Sequence, residues 1–126
     1  MLNHIVIMGR LTKDPELRRT QQGTAVASFT LAVERDVISK ETGRRETDFI
    51  SCAAWKGTAE FVDKHFTKGQ LAVVVGRLQI REWTDKDGNK RWSPEIMANN
   101  VYFAESKKQD AAPEMTPVED DGELPF

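Results

Sequence analysis

The sequence predicts an all-β fold: a small barrel interrupted once by a helix. Three observations lead there. Most of the first 103 residues fall into short β-type segments separated by turn signals. One stretch alone has good helical spacing. That stretch comes after the third strand and before the last two or three, the place where a five-stranded Greek-key barrel of the OB type inserts its helix.

The elements follow in order. Ile5-Val6-Ile7-Met8-Gly9-Arg10-Leu11 is an apolar run that reads as a buried strand, with Gly9 marking a bulge or close approach. Asp14-Pro15 and Gln22-Gly23 are turns. From Thr24 to Val33 the residues Ala25, Ala27, Phe29, Leu31 and Val33 alternate with smaller or polar ones, the period of a half-buried strand. Asp36 to Glu46 is polar and mixed in charge, so it is expected as an exposed loop or hairpin tip, and Thr47 to Trp55 as the third strand. Gly57 to Phe66 is the helix, with Thr58 as N-cap, a Glu60–Lys64 pair one turn apart, and Gly69 placed to end it. Leu71 to Trp83 is a strand running on past Gly76, and Asp85-Lys86-Asp87-Gly88-Asn89 is a hairpin turn. Lys90 to Met97 returns, and Val101-Tyr102-Phe103 forms a last short strand.

From Glu105 the composition shifts to Ala, Pro, Glu, Asp and Gln, which cannot bury a core and is expected to be disordered. The division is residues 1–104 as the barrel, 105–118 as a linker and 119–126 as an acidic tip. Charge divides the same way. Residues 1–106 carry 14 acids and 16 Lys or Arg, while the rest carry six acids against Lys107 and Lys108. Body and tail therefore meet different partners.

Composition removes several function classes. No apolar run is long enough to span a membrane, and the N-terminus has no signal-type segment, so a cytoplasmic protein is expected. Cys52 is a single cysteine, expected as a small core residue, and with His4 and His65 the chain has two histidines, both expected to be structural. No metal cluster and no cofactor are expected. Phosphate-loop, zinc-protease and nucleophile-elbow motifs are missing, so catalysis is not expected. Asp85, Asp87 and Glu95 invite a metal-binding reading, but acids beside a glycine in a tight turn are better explained as turn formers.

The chemistry lies in strand parity. Residues two apart share a face, which groups Arg77, Gln79, Arg81 and Trp83, and likewise Thr47, Phe49, Ser51, Ala53 and Trp55. Each group mixes rings with polar or basic side chains, the combination that stacks bases and tracks phosphates of a single strand. Trp83 and Trp92 flank the Asp87-Gly88 turn beside Arg81, Lys86, Lys90 and Arg91, making a basic, aromatic finger. Phe29, Phe61, Phe66 and Phe103 are assigned to packing. An RNA-binding module and a protein-only adaptor remain alternatives at this level. The chain ends Glu119-Asp120-Asp121-Gly122-Glu123-Leu124-Pro125-Phe126, an apolar ring beside a free carboxylate after a run of acids, which suits a pocket rimmed by basic residues.

Taken together, Asn3 to Leu11, Asp14-Pro15-Glu16-Leu17-Arg18, Phe29 to Val33, Asp48 to Cys52 with Trp55, Lys68-Gly69, Gly76-Arg77-Leu78, Arg81 to Trp83 and the terminal Leu-Pro-Phe resemble the bacterial single-stranded DNA-binding proteins. The resemblance implies an OB fold, a homotetramer, and binding of single-stranded DNA without sequence preference in replication, recombination and repair. It places base stacking on Phe49, Trp55 and Trp83, with Trp92 where another aromatic is usual, and basic contacts on Arg18, Lys68 and Arg81. Arg10, Arg77 and Arg91 complete the candidate set. Asp120, Asp121, Glu123, Leu124, Pro125 and Phe126 are the implied docking tip for replication, recombination and repair proteins. Three positions depart from the family pattern: Val37 stands for a usual aromatic, Arg19 for a common Tyr, and Glu82 for a common basic residue. The linker is also short for the family, which suggests a phage-borne, competence-related or otherwise compact variant.

Overall fold

A computed structural model describes residues 1–105; the expected tip and all but the first residue of the linker lie outside them. Six strands and one helix form in the order β1 (Ile5–Leu11), β2 (Glu16–Arg19), β3 (Ala25–Ile38), β4 (Arg45–Trp55), α1 (Lys56–His65), β5 (Leu71–Thr84) and β6 (Lys90–Phe103). β1 pairs with β5, β5 with β6, β6 with β4 and β4 with β3, and β3 returns to β1 through Arg10 opposite Ala32 and Leu11 opposite Leu31. That return closes the sheet. All these pairs are antiparallel except β4–β6, which is parallel over Cys52–Ala54 and Ile96–Ala98. This is the five-stranded OB barrel expected from the sequence, with its helix between the third and fourth barrel strands.

β2 was not anticipated as a strand. It continues β1 along the same edge of β3 after the Asp14-Pro15 bend, from Glu16 opposite Ser28 to Arg19 opposite Ala25. The Thr12 amide donates to the Thr30 carbonyl at 2.9 Å and bridges the two halves. Gly9 is required where β1 crosses β3, because a Cβ there would stand 2.6 Å from the Ala32 carbonyl oxygen.

Parity then fills the barrel. Leu11, Ala27, Phe29, Leu31, Cys52, Ala54, Ala72, Val74 and Ile96 point inward and are buried. α1 plugs one end with Ala59 and Val62, and Phe66 follows it into the core. Phe66 stacks on Phe103 with centroids 4.6 Å apart, and Phe61 packs edge-on to both, so these rings serve packing even where Phe61 and Phe103 reach the surface.

The helix differs from the expectation at both ends. It starts at Lys56, and its N-cap is Trp55, with no side-chain bond to the first turn, rather than Thr58. Thr58 instead donates to the Asn99 carbonyl at 3.4 Å. Phe66 is the C-cap, its amide bonded to the Val62 carbonyl, and Gly69 comes later, at φ +87° in the turn leading to β5. Glu60 pairs with Arg19 at 3.4 Å rather than with Lys64, so the departure at Arg19 ties β2 to the helix. The polar 36–46 stretch is the expected hairpin tip, with residues 39–44 as the turn between β3 and β4 and only 36–38 and 45–46 in strand, while β6 runs unbroken to Phe103. Among the described residues no helix is long and apolar enough to cross a membrane.

Candidate nucleic-acid interface

The outward parity of the sheet forms a continuous surface. On β3 and β4 the register sets Ala32 beside Phe49, Thr30 beside Ser51, and Ser28 beside Ala53. Ala53 in turn lies level with Met97 on β6. From there the β5–β6 pairing carries the same face outward through Arg77–Met97, Gln79–Glu95, Arg81–Ser93 and Trp83–Arg91. Both parity groups read from the sequence thus lie on one face, with Phe49, Trp55, Arg77, Gln79, Arg81 and Trp83 on it.

Beyond Gly76 β5 leaves the barrel, and β6 does so past Ile96, its last residue paired with β4. Residues 77–84 of β5 are exposed on both sides, which makes a two-stranded finger. Where the short β4–β6 contact ends, clefts open. One of about 450 Å³ is lined by Lys13, Arg18, Ser28, Thr30, Ser51, Arg81 and Glu95, among others. A second, about 510 Å³, brings Trp55 next to Arg77, Gln79 and Met97. Cations, hydroxyls and rings therefore alternate along this face. A strand of bases and phosphates has the same alternation.

The rings are available for stacking. Phe49 is 69% exposed, Trp55 42% and Trp83 41%, against 4% for the core Phe29. The Trp83 indole N–H donates to Ser93 Oγ at 2.8 Å across the finger, which holds the ring plane in place. Trp92 is also exposed, but it lies opposite Glu82 and shares the other face of the finger with Leu78, Ile80 and Pro94. Two of the three tryptophans are thus brought to one face, and Trp92 is not.

The basic candidates divide as well. Among the described residues Arg77 and Arg81 make no ion pair, and Arg18 donates to the Ser28 hydroxyl at 3.1 Å. Lys68 sits in the turn after α1, where its amide donates to Asp14 at 2.8 Å beside the β1–β2 bend. Arg10 lies beside Ala32, where β1 returns to β3, and is engaged with Glu105 at 3.1 Å and the Gly69 carbonyl at 3.0 Å. Arg91 is engaged with Asp85 at 2.9 Å.

Asp85 organises the fingertip. Its carboxylate accepts the amides of Asp87 and Asn89, each at 2.9 Å, in addition to Arg91 Nε. The Asn89 amide is the main reason its pKa lies below the ordinary carboxylate value. Asp85 and Asp87 are therefore turn formers, and no acidic or histidine cluster suited to a metal occurs among the described residues. Burial, with Glu95 nearby, pushes the Cys52 thiol up to about 12, so it is not a nucleophile.

Sequence reasoning did not single out Lys13, Ser28 or Thr30 as site residues, and weighed Glu95 only for the metal-binding reading it set aside. The alternation in β3 already placed Ser28 and Thr30 outward; what it lacked was the β2 and β6 neighbours that turn that face into a cleft. Of the departures, Glu82 lies on the Trp92 face, 3.5 Å from Lys90, so its charge is not on the Arg81–Trp83 face. Val37 is 77% exposed near the end of β3.

Comparison with known proteins agrees with this geometry. The Single-strand binding protein family model matches residues 2–104. Single-stranded DNA-binding protein A of Bacillus subtilis is 50% identical over 107 residues, covering 85% of this chain and 62% of that protein. A single-stranded DNA-binding protein of Halalkalibacterium halodurans is 49% identical over 107 residues, 85% of this chain and 63% of its own length. One from Caldanaerobacter subterraneus subsp. tengcongensis is 37% identical and is covered, like this chain, over its full length. The chain thus spans a little over three fifths of the first two relatives and the whole of the third. With the family match running through every strand of the barrel and through the finger, this chain belongs to the single-strand binding protein family.

Proposed function

We propose that this chain binds and protects single-stranded DNA without reading its base sequence, as a cytoplasmic protein serving replication, recombination and repair. The observation that carries the reading is the single outward face on which Phe49, Trp55 and Trp83 alternate with Arg77 and Arg81. Arg18 lies across the cleft from Arg81. Rings take the bases at about 1–3 kcal/mol each, and guanidinium groups take the phosphates. Stacking is indifferent to base identity, which accounts for binding without sequence preference. Titration with poly(dT) at two salt concentrations tests this: tryptophan fluorescence should be quenched and affinity should fall steeply with salt. Equal affinity for duplex DNA would refute it, and tighter binding of RNA in direct competition would favour the RNA alternative.

The homotetramer is part of the same proposal. Val6 and Met8 on β1, Val73 and Val75 on β5 and Tyr102 on β6 share the outer face away from the clefts, and Val6, Met8 and Tyr102 are each more than half exposed. An apolar patch across three strands supports burial between copies. Light scattering should give four times the chain mass. Recruitment of repair and replication proteins through Asp120, Asp121, Glu123, Leu124, Pro125 and Phe126 completes the reading. Removing Phe126 should abolish partner capture while leaving DNA affinity intact.

A further inference from the structure

The finger that carries Arg77, Arg81 and Trp83 leaves the barrel at Gly76 with its root held by backbone on one side only, where Leu78 lies opposite Ile96, itself paired with Cys52 of β4. β1 pairs with β5 as far as Ile5 opposite Gly76. Continued in the same register, the next hydrogen-bonded partners would be Asn3 and Leu78, but residues 1–4 are not strand. At that point the Asn3 side chain takes over. Its Nδ2 donates to the Leu78 carbonyl at 2.8 Å, and its Oδ1 accepts the Leu78 amide at 2.9 Å. One carboxamide thus supplies the donor and the acceptor that a strand residue would have supplied, in register, two residues beyond the last ladder pair.

The placement has a consequence for the candidate interface. Arg81, three residues further along the strand from Leu78, is the β5 contribution to the cleft whose other walls come from β2, β3, β4 and β6. The direction in which β5 leaves the barrel therefore decides whether Arg81 faces Arg18 across that cleft. The bulge between Val75 and Gly76 permits a change of direction; pairing with β6 holds β5 along one edge, and the Asn3 carboxamide holds the other. Resting on the single-strand reading above, we propose that Asn3 is a positioning residue for DNA binding: its carboxamide clamps the root of the finger and so completes the cleft.

The experiment compares the full-length chain with Asn3→Ala and Asn3→Asp. Asp keeps the acceptor for the Leu78 amide but sets an oxygen against the Leu78 carbonyl. Both substitutions lie on the exposed edge, so the barrel should melt as the parent does. Affinity for a dT oligonucleotide should fall about three- to tenfold for either variant, as expected for the loss of two exposed hydrogen bonds. The slope of log affinity on log salt should shrink by about 0.7, one phosphate contact on a single strand. The Leu78 amide should exchange faster with deuterium.

The decisive arm repeats Asn3→Ala in a chain that already carries Arg81→Ala and Trp83→Ala. A residue that acts through the finger loses its effect there, whereas a general structural residue keeps it. Unchanged affinity in the single variants, or the same loss in the background without Arg81 and Trp83, would overturn the proposal. A parent chain that failed to bind dT at all would overturn the single-strand reading itself, a result distinguishable from either.

Discussion

Replacing Gly76 with Ala should cost more than any other single-methyl change in the barrel. A Cβ built on Gly76 collides with the carbonyl oxygen of Met97, lies 2.9 Å from its carbonyl carbon and 3.0 Å from Ala98 Cα. All three atoms are backbone of β6, so no side chain can rotate out of the way. Overpacking costs about 1–3 kcal/mol where neighbours yield. Here the upper end applies, because relief requires β5 and β6 to separate where the finger leaves the barrel. At about 4–8 °C per kcal/mol for a domain of this size, the melting temperature should drop by about 10 °C or more. Gly57→Ala is the control. Nothing lies within 4 Å of a Cβ there, and the residue sits inside α1, so the substitution should stabilise by about 0.5–1 kcal/mol. Thermal unfolding followed by circular dichroism at one fixed protein concentration measures both. If Gly76→Ala melted within about 2 °C of the parent, the close approach of β5 and β6 would not be as described.

Lys56 holds φ +57° at the first position of α1, beside Trp55. Lys56→Gly should therefore stabilise by about 0.5–1 kcal/mol, the left-handed cost less the greater freedom of an unfolded glycine, and thermal melts would detect it. Cys52, buried and pushed up to about 12, should react with a thiol reagent at pH 8 no faster than the chain unfolds. Immediate labelling of the folded protein would contradict its place in the core. The Asp85 carboxyl ionises more readily in the folded chain than in the unfolded one, chiefly because it accepts the Asn89 amide. Its contribution is then present above the ordinary carboxylate range and lost as pH falls through the lowered value. Exchange protection of the Asn89 amide should fade over that acid range, and Asp85→Asn should abolish the pH dependence.

Much of this was readable from alternation alone. The inward set of β3, β4 and β5 follows from a period of two, and so does the outward grouping of Phe49, Ser51 and Trp55. What alternation cannot supply is a partner distant in sequence. Glu60 has Lys64 one helical turn away, yet it meets Arg19, brought alongside by the pairing of β2 with β3. Thr58 has the chemistry of an N-cap, but β4 enters the helix directly at Trp55 and leaves no free turn for it to cap. Asn3 reads as an unremarkable polar residue ahead of a strand. Its role depends on Leu78, 75 positions away.

Trp92 shows how narrow the margin can be. Within the barrel β5 and β6 pair with Val75 opposite Asn100, but beyond the bulge Gly76 is opposite Ala98, so Asn99 is left without a partner on β5. In the barrel's register Trp83 would face Trp92 across the finger, and both rings would stand on one side. The extra residue advances β6 by one, and a one-residue shift turns every side chain of one strand to the opposite face. Trp83 consequently meets Arg91, and Arg81 meets Ser93, which puts cations and a hydroxyl on the face that continues to Arg77 and Trp55. Trp92 joins Leu78, Ile80 and Pro94 on the other side. The fingertip agrees with this shift, since the Asp85 amide donates to the Asn89 carbonyl at 3.0 Å and closes the turn on Thr84 opposite Lys90. The bulge at the root and the five-residue turn at the tip specify the same register independently. The division of the finger into a cationic face with one tryptophan and an apolar face with the other is therefore a consequence of backbone length, to which the identity of the rings contributes nothing.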